Sequence, residues 1–398
     1  MRKIRLSNEL TVLLERRPGR SVAVEVTVKA GSIDEKKGQR GISHFIEHML
    51  FEGTTSRTAL QIAGEIEGIG GEISAFTSNE RTSYYVNVLS KHLEKGVDVL
   101  SDIIQNPLFD EKILERERKI VLSEIKMVTD QPRFHQWVLF QKALYGKSSL
   151  ANPTYGTVSD LKRMCRKDLV RYHHRYYVPS NMVISIVGDF SSPLRIIRRY
   201  FGDMVNRRIP AQRISKKPSA SSFAEKKPVL QSYLVLGFDA VRRSHPDSYV
   251  LDVIRAVLAK GLSGRLFQEI RQKRGLAYDV GASYESGFDY GFFAVYVSTD
   301  KNNLSLVRKV VLQELELLKD VSSRELLEAK RSIEGDYLLS NEDNREMADT
   351  IAAWAFSSTA EDSKRYVSRI KKVTQKDIAR VVDKYFKKKH ASAVIRQD

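Results

Sequence analysis

What this sequence has little of narrows it first. It holds one cysteine, Cys165, in 398 residues, so no intramolecular disulfide can form and the fold must rest on packing. The setting MCRKDL reads as a packed, inert thiol in a reducing compartment. No window approaches the roughly 20 apolar residues of a membrane span. The opening residues, MRKIRLSNELTVLLERRPG, lack the apolar run that a secretory signal needs. They read instead as a strand, a turn at Asn8 and a second strand. The expectation is a cytoplasmic protein with no membrane contact.

Acidic residues are also short. Lys and Arg number 66 against 49 Asp and Glu, a net charge of +17. A basic surface draws acidic partners, and the charge points to peptides that are neutral or acidic. The cations are dispersed along the chain as RIIRRY, SKK, EKK and KKK, without the interleaved aromatics of a nucleic-acid module, so no nucleic acid is expected. Hydrophobic residues make up 42% and charged residues 29%, which excludes extended disorder and leaves an ordinary globular chain.

That chain says the same thing twice. The Pro- and Ser-rich stretch 203–229 reads as a linker. It separates a first domain, 1–202, from a second, 230–398. Each half ends on an amphipathic helix, an aromatic pair, a loop and a strand: KRMCRKDLVRYHHRYYVPSNMVISIVGD and KKVTQKDIARVVDKYFKKKHASAVIRQD. Asp168 matches Asp377, and Tyr176 matches Tyr385. Upstream, ISAFTSNERTSYYVNVLS and YDVGASYESGFDYGFFAVYVS read as strand pairs followed by long helices at 91–105 and 110–128, and at 301–318 and 322–340. Two duplicated α+β domains follow, each a mostly antiparallel sheet covered by helices on one side.

The copies differ at one helix. GISHFIEHML in the first half corresponds to SYVLDVIRAVLAK in the second. Ser43 is a fair N-cap there, and Gly53 closes the run. His44 and His48 are four apart and share a face, so two neutral imidazoles can grip one Zn²⁺. Glu47 lies beside them, where a carboxylate can take a proton from water and pass it to a leaving amine. A chance His-x-x-Glu-His in this length is on the order of one in a hundred. Burying three polar groups amid Phe45, Ile46, Met49, Leu50 and Phe51 without a shared task is expensive.

A zinc hydrolase needs a third protein ligand. The helix at 110–128 offers Glu115, Glu117 and Glu124. Glu117 and Glu124 are two turns apart on one face. Glu124 sits among Ile120, Val121, Leu122 and Ile125 and needs a partner. For Glu117, periodicity leaves a solvated position and a role orienting a histidine equally open. Glu115 reads as solvated.

These residues resemble the pitrilysin family of metallopeptidases with an inverted zincin motif, which includes insulin-degrading enzyme and the mitochondrial processing peptidase. GISHFIEHMLFEGT, GGEISAFTSNERTSYY, NPTYGT and LFQEIRQKRGLAYDVGASY carry the resemblance across the whole chain. It implies that His44, His48 and Glu124 ligate one zinc per chain, that Glu47 is the general base and that Glu117 supports the site. It implies that Ser74, Ala75, Phe76 and Thr77 form an edge strand that pairs with substrate backbone. Ser74 stands where some members have Asn, which leaves an amide contact to substrate in doubt. It implies that Arg271 and Tyr278, flanking a helix end at Gly275, hold the substrate carbonyl and its oxyanion. By residue pattern alone, Arg271 reads as a solvated helix residue and Tyr278 as a core aromatic.

Relatives with four such domains in one chain close around a peptide like a clamshell. This chain has two and keeps both residue sets. The economical expectation is a homodimer in which Arg271 and Tyr278 act in trans. The expected function is a zinc endopeptidase or oligopeptidase acting on peptides or unfolded segments in an enclosed chamber. Two other readings fit the family: a non-catalytic scaffold subunit, and a processing peptidase dedicated to one precursor.

Overall fold

The computed structural model describes residues 1–209 and 218–397. The middle of the expected linker, 210–217, lies outside the described residues. Its end, Ser222–Lys227, is a strand.

The first half runs β1 (Arg2–Arg5), β2 (Thr11–Arg16), β3 (Ser21–Val28), α1 (Ile42–Leu50), α2 (Ala59–Glu67), β4 (Glu72–Thr77), β5 (Thr82–Leu89), α3 (Leu93–Gln105), α4 (Glu111–Asp130), α5 (Pro132–Tyr145), α6 (Val158–Leu161), α7 (Arg166–Tyr176), β6 (Met182–Gly188) and α8 (Pro193–Phe201). The second runs β7 (Ser222–Lys227), β8 (Ser232–Asp239), α9 (Asp247–Ala259), β9 (Ala277–Ser286), β10 (Gly291–Thr299), α10 (Leu304–Leu317), α11 (Ser323–Ser340), α12 (Asn344–Ser357), α13 (Asp362–Lys371), α14 (Gln375–Val381) and β11 (Ala391–Gln397). The strand–turn–strand opening is present. Asn8 makes the turn by accepting the Leu10 N–H at 3.2 Å and donating to the Phe201 carbonyl at 2.8 Å.

Two sheets result, in the orders β1-β2-β6-β3-β5-β4 and β7-β11-β8-β10-β9. Each has one parallel pairing, β2 with β6 and β11 with β7, and is otherwise antiparallel. The fold is α+β, with β alternation setting the faces. Val22, Val24, Val26 and Val28 of β3 point into the main core with α1, α3 and α7. Ala23, Glu25 and Thr27 point the other way.

That other face departs from the expectation of helices on one side only. Met347, Ala348 and Ile351 of α12 pack on Leu13, Ala23, Val183 and Val187. The compact units are therefore not contiguous in sequence. One comprises Met1–Lys126, the chain from Asn152 to the undescribed segment, and Ser340–Ser363; the other holds Met127–Ala151, the chain from the end of that segment to Leu339, and Lys364–Asp398. Within the second unit, Phe140 of α5 lies edge-on to Phe292, 5.4 Å between centroids, and a Cβ on Gly237 would come within 2.6 Å of the Phe140 ring. Each helix is drawn from the opposite half because the outer sheet face it covers offers small or aromatic side chains to an apolar stripe.

The duplication is visible in detail. Asp168 caps α7 by accepting the Cys165 N–H at 3.0 Å, and Asp377 caps α14 by accepting the Thr374 N–H at 3.0 Å. Tyr176 donates to the Asp34 carbonyl ahead of α1, and Tyr385 to the Asp247 carboxylate at the start of α9. Cys165 is not packed as expected. It is exposed, and its thiol sits 3.1 Å from Asp168 as part of that cap.

Candidate metal centre

Helix α1 is seated by its neighbours before its side chains act. Gly41 takes φ +90°, and a Cβ there would lie 2.6 Å from the Tyr155 carbonyl. Gly156, in NPTYGT, takes φ +77°, and a Cβ would lie 2.2 Å from the Arg40 carbonyl. Two glycines thus let two backbones meet. The cap is not Ser43. Glu35 accepts the N–H of Gly41 at 2.6 Å and of Ser43 at 3.0 Å, while the Ser43 hydroxyl meets Tyr172 Oη at 2.8 Å. Ser43 is already inside the helix, so its hydroxyl is free for α7. At the far end, Gly53 takes φ +134°. Thr54, Ser56 and Arg57 all bond Asp102 of α3, at 2.6, 2.7 and 2.9 Å. The FEGT tail is an anchor.

Between these anchors, Ile42, Phe45, Ile46, Met49 and Leu50 are buried, and His44, Glu47 and His48 form a half-buried stripe. Helix α4 crosses beside it. Arg118 donates to the Met164 carbonyl at 2.7 Å and lies 5.7 Å from the Phe45 ring centroid. This fixes α4 relative to α1. Glu124 then faces both imidazoles: its oxygens lie 3.8 Å from His44 Nε2 and 3.7 Å from His48 Nε2. Glu117, buried on the same face, meets His48 Nδ1 at 3.3 Å through one oxygen and Arg116 Nε at 3.2 Å through the other. Glu115 is exposed and pairs with Arg118.

His44, His48 and Glu124 bring three candidate donor atoms within 4.8 Å of one another. A tetrahedral zinc with bonds of about 2.0–2.1 Å separates its ligands by roughly 3.3–3.5 Å, so the two distances from Glu124 to the imidazoles fit after a shift of a few tenths. Burial and His48 lower the His44 imidazole to about 4. It is therefore neutral at pH 7 and has a lone pair to give. Its other nitrogen, Nδ1, is buried without a hydrogen-bond partner, whereas that of His48 is oriented by Glu117.

Glu47 is held from the strand beside it. Thr77 Oγ1 donates to Glu47 Oε2 at 2.5 Å. Thr77 ends β4, and Thr82 Oγ1, 3.5 Å from the Thr77 hydroxyl, donates to the Ala30 carbonyl at 2.9 Å. Burial raises the Glu47 carboxyl above the usual carboxylate range, and the Thr77 bond opposes that shift. Sequence reasoning placed Thr77 on a substrate-pairing strand and missed this bond. Ser74–Thr77 do lie on an edge strand, since among the described residues β4 ends its sheet and pairs with β5 alone.

Arg271 and Tyr278 belong to the second unit. Arg271 sits on a π-helical turn, Phe267–Gln272, a feature often found at functional sites. The turn ends at Gly275, φ +62°, whose N–H bonds the Arg271 carbonyl at 3.0 Å. The Arg271 guanidinium lies over the Tyr278 ring, 4.8 Å from its centroid, and 5.0 Å from that of Phe267. Tyr278 is 65% exposed. It is not the core aromatic that its strand pattern alone implied.

Comparison with known proteins decides the family. Residues 11–158 match Insulinase (Peptidase family M16), and 163–333 match the Peptidase M16 inactive domain. An uncharacterized zinc protease of Bacillus subtilis, YmxG, is 36% identical over 339 residues, covering 84% of this chain and 83% of that one. The chain belongs to the M16 peptidase family. A second M16 relative, an uncharacterized zinc protease of Rickettsia felis, is 32% identical over 98% of this chain and 96% of its own. The M16 fold is equally clear in a crystal structure of a protease from Helicobacter pylori, with TM-score 0.94 and 23% identity, covering 99% of both chains. Complex III2 from Candida albicans contains a chain of the same fold, TM-score 0.87 at 16% identity, covering 100% of this chain and 96% of that one. In this M16 chain, α9 occupies the place of α1 in the inactive domain and carries no His-Glu-His set.

Proposed function

We propose that this chain is a zinc endopeptidase, with His44, His48 and Glu124 as metal ligands and Glu47 as general base. The observation that carries it is the convergence of those three donors from two helices, with a carboxylate beside them held by Thr77. A zinc ion held by these residues would supply Lewis-acid polarisation of a scissile carbonyl and would acidify water. Glu47 accepts the proton from the attacking water and returns it to the leaving amine. Its raised affinity for protons suits both halves of that transfer. Glu117 fixes the ring of His48 through Nδ1. The free edge of β4 receives an extended substrate backbone, which favours peptides and unfolded segments. Retention of the full donor set speaks for catalysis and against a scaffold role.

The test is peptide hydrolysis by wild type and Glu47→Gln, with zinc content measured on both. The variant is expected to keep zinc and lose about 10²–10⁴-fold in kcat. Full activity in Glu47→Gln removes the mechanism.

Arg271 and Tyr278, stacked and open to solvent, are proposed to hold the substrate carbonyl from a second copy of the chain in a homodimer. Mixing Glu47→Gln with Arg271→Ala subunits is expected to restore activity in the heterodimer. Two dead subunits that stay dead when mixed rule out action in trans.

A further inference from the structure

The first unit gathers a set of cations that the chain scatters over some forty positions. Lys167, Arg171, His174 and Arg175 form the outer face of α7, opposite the face that buries Leu169, Tyr172, His173 and Tyr176. Arg207 and Arg208 approach from the irregular stretch beyond α8. Together these six line one hollow of about 530 Å³, within the size range of small-molecule pockets. The stretch that brings the last two is held in place. Asn206 accepts the Ser180 N–H at 3.1 Å and donates to Glu9 at 2.6 Å.

Elsewhere this chain pairs its structural arginines with carboxylates. Arg57 meets Glu65, Asp98 and Asp102, and Arg265 meets Glu325. Here the pattern stops. No carboxylate lines the hollow. Among the described residues none of Lys167, Arg171, Arg175, Arg207 and Arg208 enters a salt bridge. Two acids stand nearby, and each acts on one of these cations through space, Asp168 on Arg171 and Asp34 on Arg175, while their hydrogen bonds go elsewhere. Asp168 accepts from Gln39 and Cys165, and Asp34 accepts from the Gly31 N–H. Residues 210–217, PAQRISKK, supply no acid either. In addition, Arg175 Nε is buried with no hydrogen-bond partner, which leaves a donor out of water at a loss of about 1–3 kcal/mol. Crowding five permanent positive charges around one concavity is unfavourable when only Asp168 and Asp34 stand near two of them.

We propose that this hollow binds a soluble small molecule bearing several phosphate groups. Guanidinium forks match phosphate oxygens two at a time. So many cations call for more negative charge than a single carboxylate carries. The hollow is lined by no Phe, Tyr or Trp on which bases would stack, and His174 is its one ring. The site is separate from the His44–His48–Glu124 cluster, and the proposal stands whether or not the chain is a peptidase.

The probe is sodium tripolyphosphate, titrated calorimetrically at physiological salt, with inorganic phosphate as the weak comparison. Arg171→Gln with Arg207→Gln is compared with Arg195→Gln with Arg198→Gln, an equal loss of charge on α8. Thermal unfolding checks that all are folded. The pocket pair is expected to weaken tripolyphosphate binding by roughly tenfold or more, and the α8 pair by less than about threefold. Equal weakening in both pairs, or no binding at physiological salt, overturns the proposal. Two further arms separate other polyanions. The proposal is also overturned if vesicles of phosphatidylcholine with phosphatidylglycerol, or a single-stranded oligonucleotide, bind through Arg171 and Arg207 and resist displacement by tripolyphosphate.

Discussion

A hydroxyl at the end of a strand decides how the proposed base is presented. Thr77 Oγ1 reaches Glu47 at 2.5 Å, so it selects which carboxylate oxygen remains to meet water. Replacing Thr77 with Val keeps the shape and removes the donor. The expected outcome is a fall in kcat of about tenfold, the scale of one hydrogen bond to a charged group. KM and zinc content should hold near wild type, and Thr77→Ser should recover most of the loss. A change confined to KM would instead mark Thr77 as a substrate contact. The pairing of His44 and His48 was legible in the sequence because i, i+4 spacing fixes two side chains on one helical face. Glu117 was half legible: two turns from Glu124 put it on the same side, but only the fold brought it to His48 Nδ1. The Thr77 bond was not legible, since it joins residues thirty apart across a helix and a sheet edge.

At the scale of elements, α1 works because its ends are fixed from outside. The motif NPTYGT does not touch the metal cluster. It supplies the glycine that lets the chain pass against Arg40. Gly156→Ala places a Cβ both in left-handed backbone and against a carbonyl. The backbone alone costs about 1–2 kcal/mol, some 2–8 °C in Tm for a unit of this size. Gly38→Ala is the control: its φ is also positive, +92°, but a Cβ there meets nothing within 4 Å. Gly156→Ala is expected to lose more Tm than the control and to lose zinc as well, read by metal analysis after dialysis. Matching behaviour of the two variants would show that the close approach is unimportant. Strand pairs and long helices were legible from period-2 and period-3.6 patterns. The true cap of α1 was not, because Glu35 reaches it from a preceding turn and Ser43 is the residue a local rule selects.

At the scale of the whole molecule, the polar cluster beneath α12 ties a late helix to an early sheet within the first unit. Arg81 bonds Asp349 through both terminal nitrogens, one at 3.0 Å, and lies 3.6 Å from Glu25. One cation cannot balance both the buried Glu25 carboxylate and the partly exposed Asp349. Burial, then Asp349, push the Glu25 carboxyl up to about 8 from its ordinary 4.5. The folded chain thus holds a proton that the unfolded chain releases above 4.5. The stability linked to Glu25 is present below that pH and is lost as pH rises through about 8. Thermal unfolding from pH 5 to 9 should show a Tm that declines over this window in wild type and declines less in Glu25→Gln. Equal slopes would mean that Glu25 is already ionised beside Arg81.

The sequence by itself determined the duplication, the α+β class, and the histidine and carboxylate stripes of α1 and α4, since each rests on spacing along one element. The tertiary structure decided which sheet face α12 and α5 cover, what caps α1, what holds Glu47, and that cations forty residues apart share one hollow. Those relations join positions distant in sequence, where no periodicity links the residues and only packing selects the pairs.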